Sequence, residues 1–205
     1  MNIQLHGFSE ASERTYAAVV YLRVEYKSGE IQTRFLASKS KVAPIKKQSI
    51  QILELLGACL LSKLVYNVQE TIEDELKVQL QTCYWVDSMS LLCWIRNAKP
   101  WTQYIRLRVS EILRVSIRPQ WSYCPGTHNP ADLPSRGIFT NLSDNQLWWE
   151  GSQLLKLHAN QWPKPPSNGE IDTEGALKGT LKKEPEVTHA MLTSEACTQP
   201  RISKI

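Results

Sequence analysis

Over the first forty positions, apolar residues gather in short runs of strand length separated by polar stretches. Residues 3 to 9 (IQLHGFS) and 16 to 26 (YAAVVYLRVEY) are rich in β-branched and aromatic side chains, which fit a pleated surface. Lys27-Ser28-Gly29-Glu30 supplies a turn between the second of these and a third strand from Ile31 to Ser38. The pattern then changes. After a basic loop from Lys39 to Lys47, Ser49 is placed to cap a helix in which Ile52, Leu53, Leu55, Leu56, Cys59, Leu60 and Leu64 are apolar on most sides. A helix of that kind is central and buried.

Val78 to Val86 reads as a fourth strand and Ser88 to Asn97 as a short helix. Pro100 interrupts the chain before another helix from Trp101 to about Ser116. Gln120 to Cys124 forms a last strand, after which Pro125-Gly126 turns into a short helical segment carrying Asp132. The order β-β-β-α-β-α-α-β-α predicts an α/β fold with a mixed sheet, antiparallel at first and parallel later. Residues 1–140 are expected to form this domain. Beyond it, Asn145 to Leu157 is expected to be a connector helix within residues 141–163. Residues 164–205, with prolines and glycines among charges, read as a disordered tail.

Composition narrows the class without deciding the function. The chain has 205 residues, 42% of them hydrophobic, enough for one sizeable core. The amino terminus lacks a basic region followed by an apolar run, and we expect no stretch of the roughly 18 to 20 apolar residues that span a bilayer. A cytoplasmic or nuclear protein with no membrane partner is the expectation. The five cysteines are odd in number, scattered and never in a CxxC pair, which argues against a disulfide framework or a zinc site. Of the net charge of +4, an excess of +5 falls in residues 1–140 and −1 in the remainder. A modest positive field suits a phosphate backbone but would suit many basic domains.

Four acids stand out against this background. Glu10, Glu54, Asp87 and Asp132 occur in LHGFSEAS, IQILELLGA, CYWVDSMSLL and NPADLPSRG, which are a strand end, an apolar helix, a second strand end and a turn entering a helix. Glu54 is the most telling, because an unpaired charge amid apolar residues is expensive to bury. Asp87 could instead cap the following helix, and Glu10 and Asp132 could be surface acids. Converging carboxylates suit a pair of divalent cations of the kind that activate water and stabilise a leaving oxygen. Mg2+, or Mn2+ in its place, takes oxygen ligands without help from His or Cys. The chain has no GxxxxGK[ST], HExxH or GxSxG motif to support a nucleotide-triphosphate, zinc-protease or serine-hydrolase reading.

The segments LHGFSEAS, ASKSKVAPIKKQSIQILELLGACLL, CYWVDSMSLLCWI, WTQYIRLRVSEI and WSYCPGTHNPADLPSRG, in that order, resemble the ribonuclease H domain of BEL/Pao-type LTR retrotransposon polyproteins. The likeness spans about residues 3 to 140 and continues through LWWEGSQLLKLHANQWP, which is similar to the connector leading toward integrase. It implies a ribonuclease H-like fold that binds RNA/DNA hybrid and cleaves the RNA strand with two Mg2+ ions. Reverse transcriptase and integrase parts would then be neighbours in a polyprotein. The resemblance places the four catalytic and metal-binding positions on Glu10, Glu54, Asp87 and Asp132.

One position departs from that pattern. The family normally has aspartate where this chain has Glu10, in a segment like GFCDAS. An extra methylene carries the carboxylate about 1.5 Å farther from the backbone, and an error near 1 Å in a catalytic arrangement can cost on the order of 100-fold. The alternative is therefore a catalytically impaired fragment that acts only as a nucleic-acid-binding or interaction module. Lys39, Lys41, Lys46 and Lys47, with Arg106 and Arg108 beside Trp101 and Tyr104, are candidate phosphate contacts. The same residues would make an ordinary solvated face. His128 lies near Asp132 but reads as a solvated turn residue, outside the catalytic set.

Overall fold

The computed structural model describes residues 1–137 and 142–164. The strand-rich start folds as β1 (Asn2–Ala11), β2 (Thr15–Glu25) and β3 (Ile31–Val42), an antiparallel meander. β4 (Gln81–Val86) lies parallel to β1 on its other side, and β5 (Trp121–Tyr123) lies parallel to β4. The order across the sheet is β3-β2-β1-β4-β5. This is the expected mixed α/β architecture, with β1 central and β3 at one edge.

β3 is longer than expected. Ser38, Lys39, Ser40 and Lys41 pair with Val19, Ala18, Ala17 and Tyr16 of β2, so Lys39 and Lys41 belong to an edge strand and only Lys46 and Lys47 to the loop. The alternating Ser and Lys side chains obscured a segment whose backbone simply continues the ladder. Charged side chains on an exposed edge also discourage pairing with a second sheet.

The long helix α1 (Ile50–Leu76) starts where expected, with the Ser49 hydroxyl accepting from the Ile52 amide, and ends at Lys77 in the left-handed conformation (φ 53°). By length and composition it could cross a membrane, contrary to our expectation that no stretch would. In the fold its apolar residues Leu55, Ala58, Leu61 and Val65 pack on the sheet in the main core. α2 (Met89–Arg96) and α3 (Gln103–Leu113) complete that layer, contributing Leu91, Trp94, Ile95, Ile105 and Ile112.

Two glycines let α1 approach β1 closely. A Cβ on Gly7 would lie 2.6 Å from Leu61 Cδ1 and 2.7 Å from Val65 Cγ2, and one on Gly57 would meet the Glu10 carbonyl oxygen at 3.4 Å. Gly7→Ala therefore has to move the helix or its side chains. Overpacking of this type costs about 1–3 kcal/mol, and urea denaturation should show a loss in that range.

The sheet has a second buried face. Phe8, Val19, Tyr21 and Trp85 form a core with Cys124, Ala131, Trp148, Leu154 and Leu155. The connector that supplies the last three is not the single helix expected over Asn145 to Leu157. α5 spans Gln146–Trp149 and a 3₁₀ turn spans Gln153–Lys156. Gly151 at φ 78° breaks the run, and the Ser152 hydroxyl caps the second turn. Breaking the helix keeps the segment flat against the sheet. Its packing is directed by hydrogen bonds: Tyr21 OH donates to the Trp148 carbonyl at 2.8 Å and Arg23 Nε to the Leu155 carbonyl at 2.8 Å. The tail expected at 164–205 lies, but for Lys164, outside the described residues.

Candidate metal centre

The carboxyl ends of β1 and β4 are adjacent because the two strands run parallel, and each carries an acid. Glu10 is the penultimate residue of β1, and Asp87 directly follows β4. Glu54 comes from the first turns of α1, one turn before Gly57, where the helix touches the Glu10 backbone. Helical side chains lean toward the amino terminus, which carries Glu54 past the sheet end toward the other two. Glu10, Glu54 and Asp87 each offer a carboxylate oxygen within 4.8 Å of the others. Asp87 is free for this role because the Ser88 hydroxyl, accepting from the Leu91 amide at 3.3 Å, caps α2.

Asp132 is not in that group of three. It opens α4 (Asp132–Ser135), and its Oδ1 accepts from Arg136 Nε at 2.6 Å in a half-exposed ion pair. Its charge nonetheless helps to raise the Asp87 pKa.

The three grouped acids are electrostatically frustrated. Burial, then the neighbouring Asp87, pushes the Glu10 carboxyl up to about 9. Burial, more than Asp87, pushes Glu54 up to about 7, and burial also raises Asp87. Among the described residues, Glu54 Oε2 is buried with no hydrogen-bond partner. An all-oxygen donor set with an orphaned, buried carboxylate oxygen fits a hard divalent cation, whose charge would offset the crowding.

A pH dependence follows. Glu10 and Glu54 hold protons in the folded chain at pH values where the unfolded chain, near its ordinary 4.5, has lost them. The folded state thus binds more protons than the unfolded state from about pH 4.5 to 9, so stability falls as pH rises through that window. In EDTA the melting temperature should be several degrees lower at pH 8.5 than at pH 5.5. Glu10→Gln should remove most of the slope, and equal slopes in the two proteins would refute the assignment.

The candidate phosphate contacts divide. Lys46 and Lys47 are exposed. Lys41 and Arg108 meet Lys63 in a cleft of about 230 Å3 bounded by Tyr16, Cys59 and Glu111. Arg108 is committed there to an ion pair with Glu111 at 2.9 Å and lies over the Tyr104 ring. Arg106 lines a different cleft of about 460 Å3 with Lys99, Arg114 and Arg118, cations that sequence reasoning passed over. Arg106 and Arg114 are eight positions apart on α3 and its cap, a spacing that already puts them on one helical face. Trp85 and Trp94 are buried in the core as expected, and His128 sits on a 3₁₀ turn.

Residues 1–88 match the family model described as Pao retrotransposon-like RNaseH-like domain. The matched stretch contains the three grouped acids and stops before Asp132. The chain is also 30% identical over 111 residues to the nitrate/nitrite binding protein of Synechocystis, covering 53% of this chain and 20% of that protein. It thus spans about a fifth of the length of that curated relative. Among solved structures it is similar to an RNase H1 isolated from compost by a metagenomic approach, at 12% identity and a TM-score of 0.41, over 64% of this chain and 90% of the other. It is likewise similar to the N-terminal RNase H domain of a Mycobacterium tuberculosis protein, at 11% identity and a TM-score of 0.38, over 66% and 97% of the two chains. The matched residues include the acids of β1 and α1 and the one directly after β4, in the motifs quoted above.

Proposed function

We propose that this domain binds RNA/DNA hybrid and hydrolyses its RNA strand, with Glu10, Glu54, Asp87 and Asp132 holding two divalent cations, Mg2+ or Mn2+. The observation that carries the reading is the grouping of three carboxylates, one buried and two partly buried, at the adjoining ends of β1 and β4, with Glu54 Oε2 unpartnered among the described residues. Bound there, such cations supply Lewis-acid stabilisation of a phosphodiester and activation of water. Glu10, Glu54 and Asp87 fix where that charge sits. Asp132, on the separate α4, completes the set when its side chain leaves Arg136. Lys39, Lys41, Lys46, Lys47, Arg106 and Arg108 are the proposed phosphate contacts, with the most direct role for those outside the Glu111 ion pair. In a polyprotein, reverse transcriptase and integrase parts would be the neighbours.

An anion-binding function like that named for the Synechocystis relative suits the site poorly, since three carboxylates repel an anion. The glutamate at position 10 favours a second reading, in which a catalytically impaired fragment acts only as a nucleic-acid-binding or interaction module. Cleavage of a labelled RNA/DNA hybrid in Mg2+ or Mn2+ by the natural chain and by Glu10→Asp decides between them. Cleavage by the natural chain supports the enzyme. Silence of the natural chain with activity in Glu10→Asp establishes the impaired site.

A further inference from the structure

Asn129 is wholly buried and every contact of its side chain serves the carboxylate cluster or the turn beside it. Its Nδ2 donates to Glu10 Oε2 at 3.0 Å and to the Ser9 carbonyl at 2.9 Å, while its Oδ1 accepts from the Ala131 amide at 3.1 Å. The other Glu10 oxygen, Oε1, accepts from the Ala11 amide at 3.0 Å. Both carboxylate oxygens are therefore gripped, one by the strand that carries Glu10 and one by a residue 119 positions away. The backbone of Asn129 contributes as well, its carbonyl accepting from the Asp132 amide at 3.1 Å.

On the reading of this site as a metal centre, we infer that Asn129 is a positioning residue that holds the Glu10 carboxylate in place for the cation and ties the Asp132 turn to it. A glutamate has one more rotatable bond than an aspartate, and an ungripped Glu10 would spread over several rotamers. Two donors restrict it to one. A carboxylate oxygen has two acceptor sites, so Oε2 can accept from Asn129 and still face a cation. The clamp also reaches Glu10 across the end of β1 from the loop after β5, so the first acid, through the side chain, and the last one, through the backbone carbonyl, are tied to the same residue. An aspartate at position 10 would draw its oxygens back toward the strand and away from Asn129.

The test is Mn2+ binding to the full chain by calorimetry, with Asn129→Ala measured in the natural chain and in Glu10→Ala. Asn129→Ser is the second variant, because a serine hydroxyl can still accept from the Ala131 amide in an ST-turn but is too short to reach Glu10. Removing an outer-shell partner typically weakens metal affinity about 10- to 100-fold. We expect that loss for both Asn129 variants when Glu10 is present, and less than about twofold when it is absent. Equal losses with and without Glu10 would show a merely structural residue and overturn the proposal, as would no loss in either. If Glu10→Ala alone leaves Mn2+ affinity unchanged, the metal-centre reading fails and the inference with it. If Glu10→Ala weakens binding while both Asn129 variants bind normally, only the positioning role fails.

Discussion

A chain ending at residue 140 is expected to lose cooperative folding, because the connector it lacks supplies a third of the buried residues of the second core. Trp148, Leu154 and Leu155 are buried there against Phe8, Val19, Tyr21 and Trp85. Burying a large apolar side chain is worth about 1.5–3 kcal/mol, so the three together approach the roughly 5–15 kcal/mol that holds a whole domain folded. The loss would also strip partners from Arg23, whose side chain is 1% exposed and donates to the Leu155 and Leu157 carbonyls. Arg23 further donates to Gln4 Oε1, and the buried His6 contacts that same oxygen with Nε2 while accepting from Trp85 Nε1 with Nδ1. His6 stays neutral in this setting, its pKa lowered to about 3 by burial and then by Arg23. A chain ending at 164 should unfold in one sharp urea transition with intact near-UV circular dichroism. The chain ending at 140 should bind a hydrophobic dye and melt without a sharp midpoint. Equal midpoints for the two chains would show that the connector is an appendage.

Asp87→Asn should separate stability from metal binding in opposite directions. The carboxylate adjoins Glu10 and is among the causes that raise the Glu10 and Glu54 pKa values. Neutralising it relieves repulsion among the three acids, so the protein in EDTA should become more stable, by on the order of 1–2 kcal/mol near pH 8. Mn2+ affinity should fall by more than about 100-fold, beyond the range reached by losing an outer-shell partner. Hydrolysis of the hybrid, if present in the natural chain, should fall in parallel. The readouts are the melting temperature with and without Mn2+ and calorimetric affinity. An Asp87→Asn protein that binds Mn2+ as tightly as the natural chain would remove Asp87 from the centre.

Much of the framework was legible because local rules and the final fold agree. The meander of β1 to β3, the buried α1 with Ser49 at its start, and the β4 to α2 junction at Asp87 all follow from periodicity and capping. Glu54 was recognisable because an acid in an apolar helix contradicts its surroundings unless something answers its charge. The misreadings share a cause. Lys39 and Lys41 looked like loop residues because their side chains are solvated, although β-ladder bonds are made by the backbone. The connector looked like one helix because its apolar residues recur at helical spacing, whereas packing on a sheet requires the break at Gly151. The apolar residues of α1 gave no sign of their partners, which are strands distant in sequence.

The sequence by itself determined which residue types occur in which local elements, and so which acids could end strands or begin helices. It also carried the match of residues 1–88 to the Pao retrotransposon-like RNaseH-like family model, since ordered motifs survive without coordinates. Tertiary structure decided which acids meet. Parallel pairing of β1 with β4 sets Glu10 beside Asp87, and close approach at Gly57 delivers Glu54, while Asp132 stays with Arg136. It also decided that Asn129 grips Glu10 across 119 positions of chain. Such contacts depend on distances of a few ångströms between segments far apart in sequence, and neither propensity nor period carries that information.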